Sequence, residues 1–82
     1  MIFLIDYDRG RGRIVSLSSF PDSELRIAEE SRLAVELTLN QSGIQREVVL
    51  LDAADEEALR RTHRRYFVDV EELLRSAKEA AA

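Results

Sequence analysis

Cysteine is absent from the chain. That excludes disulfides, thiolate catalysis and zinc sites of the Cys type, and it fits a cytoplasmic location. Proline occurs once and glycine three times, too few for a linker or a disordered tail. No apolar run approaches the ~20 residues needed to cross a bilayer, so no membrane is expected as a partner. The opening MIFLID is too short for a signal core and carries no basic segment before it. Lysine is nearly missing: Lys78 is the single one among 12 basic residues, the rest being arginine. Such a skew can come from genome composition as readily as from function. The net charge of −4 weighs against a generic nucleic-acid binder, which is usually basic.

What is present is a chain of 82 residues, 45% hydrophobic and 34% charged, with room for one domain over 1–82. A chain of this size buries only ~60% of its unfolded surface. Sharing a core with a second chain is a common remedy, so self-association or a protein partner is expected.

IFLIDYD (2–8) and RIVSLSSF (13–20) are rich in β-branched and aromatic residues. The glycines of RGRG between them supply the positive φ of a tight turn, which predicts a β-hairpin over 2–20. Alternation sets Ile2, Leu4, Asp6 and Asp8 on one face and Phe3, Ile5 and Tyr7 on the other. Val15 and Leu17 are expected to meet Phe3 and Ile5 in the core. SFPDSE is a helix start, with Ser19 or Asp22 as cap.

The stretch 25–43 admits two readings. LAVELTLN (33–40) alternates like a strand, yet Ile27, Ala28, Ser31, Ala34, Val35, Thr38 and Leu39 also share one half-turn at ~100° per residue. Good helix formers dominate, no turn residue separates Arg32 from Leu33, and Gly43 followed by Ile44 suits a helix C-cap. One helix over about 22–41 is favoured. EVVLLDA (47–53) is a buried strand. Asp55, Glu56 and Glu57 then open a second helix, expected to run to about 78, with 79–82 frayed.

The fold expected is therefore α+β, a small β-β-α-β-α sandwich whose three-stranded sheet carries both helices on one face and leaves the other open. The alternative is β-β-α-β-β-α with four strands. Leu33 and Leu37, one turn apart on the charged side of the first helix, would be exposed, which suggests an interface and a homodimer.

LRRTHRRYF (59–67) looks at first like a nucleic-acid motif. On a continuous helix it separates into two faces. Leu59, His63, Tyr66, Phe67, Val70, Leu73, Leu74 and Ala77 form an apolar stripe. Arg60, Arg61, Arg64 and Arg65 lie opposite, not interleaved with the aromatics as a base-stacking platform requires. Glu56, Glu57 and Asp69 are spaced to neutralise Arg60, Arg61 and Arg65. Val68 sits among these charges and hints at a partner surface or a bend near Phe67. His63, on the apolar stripe, is expected to be a packed residue with one satisfied ring nitrogen.

Other sites are weaker. Asp6 and Asp8 share a strand face, and Asp52 could approach them in some registers, but Mg²⁺ or Ca²⁺ would want more oxygens. Arg9, Arg11 and Arg13 surround a GRG that lacks phosphate-loop spacing and leads into a strand. No nucleophile lies in sight of His63, so no catalysis and no cofactor or metal is expected. The function expected is a small, non-enzymatic protein-interaction module that self-associates, with interface residues Leu33, Leu37 and Val68. A nucleic-acid-binding accessory protein using Arg60, Arg61, Arg64 and Arg65 is the alternative, and an enzyme built on Asp6, Asp8 and His63 comes third.

Overall fold

The computed structural model describes residues 1–68 of the chain. Strands β1 (Ile2–Asp8) and β2 (Arg13–Phe20) form the hairpin. Its turn is closed by the Gly12 amide donating to the Asp8 carbonyl at 2.8 Å, with Gly12 at φ 65°. A 3-10 turn at Asp22–Glu24 leads into helix α1 (Leu25–Gln41). Strand β3 (Glu47–Asp52), helix α2 (Glu56–Thr62) and a second 3-10 turn at Arg64–Tyr66 follow. The fold is α+β in the order β-β-α-β-α, with one antiparallel sheet ordered β2-β1-β3.

Residues 33–40 lie inside α1, which removes the four-stranded alternative. The helix ends where Gly43 takes φ 69°, Ile44 donates to the Leu39 carbonyl and Gly43 to that of Asn40. That is a Schellman closure, satisfying carbonyls that a helix end otherwise leaves unpaired. Neither Ser19 nor Asp22 caps the start; Asp22 instead meets the Met1 ammonium at 2.7 Å.

The two helices lie on opposite faces of the sheet, not on one face. Leu59 and Tyr66 pack on Phe3, Ile5 and Tyr7. α1 covers the other face, where Ala34, Val35 and Thr38 stand beside Asp6, and Leu25 stands by Ile2 and Leu50. Geometry explains the arrangement. Three strands at ~4.8 Å spacing are barely wide enough for two helices, which need 8–10 Å between axes. The central strand, buried from Ile2 to Tyr7, also needs cover on both sides.

The hairpin core face differs by one residue from plain alternation. Asp6 pairs with Ser16 but Tyr7 with Ile14, so Val15 is the extra residue of a β-bulge. Ile14 and Leu17 therefore share the core face, and Val15 is 49% exposed.

The second helix is shorter than its period suggests. It begins as expected, with Asp55 accepting from the Ala58 amide at 2.8 Å. It ends at Thr62, and His63 adopts φ −127°, ψ 51°. Thr62 Oγ1 donates back to the Ala58 carbonyl at 2.9 Å, a local bond that competes with helix continuation. The break turns Tyr66 onto Tyr7, ring centroids 5.1 Å apart and planes at 90°. Val70, Leu73, Leu74 and Ala77 of the expected stripe, Asp69 and the expected frayed end at 79–82 lie outside the described residues.

Candidate interaction surface

α1 touches the sheet along a narrow line. Glu24, Ala28, Ser31, Val35 and Leu39 face inward at helical spacing, and Ala28 is the one fully buried residue among them. A small residue at that position lets the backbone approach closely, but it buries little apolar area. The remaining large apolar side chains stay in solvent: Leu25 and Ile27 are each 50% exposed, Leu33 54% and Leu37 52%. Leu33 and Leu37 stack one turn apart on the outer side, bordered by the Arg32–Glu36 pair at 3.8 Å. Scattered exposed leucines are ordinary, but Leu33 and Leu37 stand together, whereas Leu25 and Ile27 project from opposite flanks at ~100° per residue.

Val68, the third residue expected at an interface, is 39% exposed. It lines a shallow depression of about 370 Å³ with Ile14, Leu17, Tyr66 and Phe67. That places it on the sheet face opposite α1, so the structure does not join Val68 to Leu33 and Leu37.

The four arginines do not form one face, because the helix breaks among them. Arg60 pairs with Glu56 at 3.0 Å and stacks over Phe67, its guanidinium carbon 4.7 Å from the ring centre. Arg65 pairs with Glu47 at 2.6 Å and lies over Tyr66 at 4.3 Å. Arg61 and Arg64 form no ion pair among the described residues, and the spaced Glu57–Arg61 pair is not made there.

Glu47 is the centre of a polar cluster that periodicity did not reveal. It opens β3 opposite Tyr7, on the α2 face. Its carboxylate accepts from Arg65 at 2.6 Å, from the Tyr66 hydroxyl at 3.1 Å and from Arg9 at 3.5 Å. Burial pushes the carboxyl up, but the bonds from Arg9, Arg65 and Tyr66 outweigh it and hold it below its ordinary value. Burial likewise raises the Tyr66 phenol, with the Arg65 hydrogen bond pulling the other way.

On the α1 face, Asp6 is buried and accepts from Arg46 Nη1 at 2.8 Å through Oδ2. Its Oδ1 is buried with no partner among the described residues. Asp8 serves the turn, accepting from the Arg11 amide at 3.1 Å. Asp52 pairs with Ile2, at the far end of β1 from Asp8, so the three aspartates do not converge. His63 ends α2 on the opposite face from Asp6, half-buried, with Nδ1 2.9 Å from Thr62 Oγ1. The Asp6, Asp8 and His63 constellation is thus split across the sheet. Arg9 and Arg11 at the hairpin tip reach Glu47 and Asp8.

No family model matches this chain, and no curated protein or solved structure matches it either.

Proposed function

We propose that this chain is a small, non-enzymatic protein-interaction module, working in the cytoplasm, whose first partner is a second copy of itself. The contact surface is the outer side of α1, centred on Leu33 and Leu37. The observation that carries this reading is the half-exposed apolar pair on that side of the helix, Leu33 and Leu37. Burying the exposed half of one such leucine contributes roughly 1 kcal/mol. A shared surface would thus add apolar contact that α1, with only Ala28 buried, lacks within one chain.

A nucleic-acid role is the weaker reading. Arg60 and Arg65 are engaged with Glu56 and Glu47, which leaves Arg61 and Arg64 to carry it.

Sedimentation velocity across a wide concentration range tests the proposal. The expected result is a monomer–dimer equilibrium that Leu33→Glu or Leu37→Glu shifts to monomer, with unchanged circular dichroism. A chain that stays monomeric at the highest concentration reached overturns it.

A further inference from the structure

We infer that the second copy is held by strand β3: two β3 edges pair antiparallel about a two-fold axis at Val49 and join the two sheets into one. This rests on the self-association proposed above and names its geometry.

Among the described residues the sheet order leaves β2 and β3 as edges, and they are unlike. β2 carries the Val15 bulge and exposed Arg13, features that discourage further pairing. β3 reads EVVLLD and pairs with β1 in unbroken register, with no proline, lysine or bulge. The Ala53 amide donates to the Met1 carbonyl at 3.0 Å, across the end of the β1–β3 ladder. In an antiparallel ladder, inward and outward residues alternate. Glu47, Val49 and Leu51 are therefore turned toward β1, and the amides and carbonyls of Val48, Leu50 and Asp52 face the edge. Outside the ladders, no backbone bond to these three residues occurs among the described residues.

Charge selects the register. A two-fold axis through the sheet sets residues of the same face opposite each other. Centred on Val49, it puts Val48 across from Leu50 of the second copy, and Arg46 across from Asp52 of the second copy. Both edge-facing rows then exchange hydrogen bonds, and an opposite-charge pair closes each end. Centred on Leu50 instead, it would set Asp52 against Val48 and Arg46 against Ala54, wasting both charges. Asp52 accepts from the Met1 ammonium at 3.4 Å through Oδ1, and its side chain, 79% exposed, keeps Oδ2 without a bond among the described residues for a second cation. Arg46 binds Asp6 through one arm of its guanidinium, and the fork has donors left for a second carboxylate.

The helices agree with this arrangement. α1 lies over β1 and β3, with Glu36 and Asn40 on the flank beside Glu47 and Val48. A helix seated over the β1–β3 boundary stands about half a strand spacing inside β3. Two such helices flank the axis ~10 Å apart, within the 8–10 Å at which helices pack. Arg32 and Glu36, on that flank, then face their opposites across the axis, with Leu33 at the outer rim of the contact.

The chain has no cysteine, so single-cysteine variants give a clean readout. In this register position 49 faces itself in a non-hydrogen-bonded pair, Cα atoms ~4.5 Å apart, within disulfide range. Val49→Cys is expected to form a disulfide-linked dimer under mild oxidation, at concentrations where the unmodified chain dimerises by sedimentation. Because Val49 packs near the core, amide exchange on the unmodified protein provides an independent check. The Leu50 amide is expected to slow ~10-fold or more as concentration carries the chain from monomer to dimer. A dimer whose Leu50 exchange does not depend on concentration, and which cross-links through Leu33→Cys but not Val49→Cys, overturns strand pairing while leaving the α1 contact standing. A chain monomeric at every concentration overturns both.

Discussion

The ring of Tyr66 meets that of Tyr7 edge to face, and the two hydroxyls work on opposite partners: Tyr66 donates to Glu47, and Tyr7 to the Arg65 carbonyl at 3.5 Å. One aromatic contact thus fastens the segment after α2 to the central strand. Tyr66 is 6% exposed, so Tyr66→Ala is expected to cost ~3–4 kcal/mol in urea unfolding. Tyr66→Phe keeps the ring and loses only the hydroxyl bonds, ~1 kcal/mol. Equal losses in the two variants would show that the hydroxyl, not the ring contact, is what matters.

Glu47 predicts an acid limb of stability. Burial raises its carboxyl, and the bonds from Arg9, Arg65 and Tyr66 more than reverse this, so it lies below the ordinary 4.5 in the folded chain. The unfolded chain therefore takes up this proton at higher pH than the folded one. The stability Glu47 contributes is full above about pH 4.5 and is lost as pH falls through the folded value. The urea midpoint of the native chain is expected to drop more between about pH 5 and pH 3 than that of Glu47→Gln. Parallel curves would refute the assignment.

Which parts of the fold were readable from sequence follows from the range of the forces involved. Gly12 and Gly43 announce their own left-handed geometry, so the hairpin turn and the end of α1 were legible. The bulge at Val15 was not, because strict alternation also gave a plausible core face. The break at His63 was hidden for a similar reason: Leu59, His63 and Phe67 fit a helical stripe, and no glycine or proline interrupts them. What decides it is Tyr66 reaching Tyr7, a contact across the fold. The polar sites were out of reach, since Arg46 and Asp6 are 40 positions apart and Arg65 and Glu47 are 18 apart. The exposure of Leu33 and Leu37 was legible from their place on the charged side of α1.

The Asp6–Arg46 pair predicts an asymmetry between single and double substitutions. Asp6 has a side chain only 8% exposed. Arg46→Ala leaves that carboxylate buried without compensation and is expected to cost ~3 kcal/mol. Asp6→Leu with Arg46→Leu removes the stranded charge together with its partner and is expected to cost much less. Chemical denaturation of the set checks this. A double variant as unstable as Arg46→Ala would mean the pair is worth more than the cost of desolvating it.

The four arginines divide into two classes, and stability separates them. Arg60 and Arg65 are tied into the fold, the first over Phe67 and the second between Glu47 and Tyr66. Arg60→Ala is expected to lower stability by ~0.5–1 kcal/mol through the lost ring contact, and Arg65→Ala to lower it as well by breaking the cluster at Glu47. Arg61→Ala and Arg64→Ala are expected to leave the unfolding midpoint where it is. Fluorescence anisotropy with labelled single- and double-stranded oligonucleotides, from 50 to 200 mM salt, then isolates any nucleic-acid role. With a net charge of −4 and two of these four arginines paired, no binding is expected even at the low-salt end. Micromolar binding that weakens with salt and disappears in the Arg61→Ala, Arg64→Ala double variant would reverse that expectation. With the unfolding midpoint of that double variant unchanged, such a loss would come from the two removed charges and not from a damaged fold.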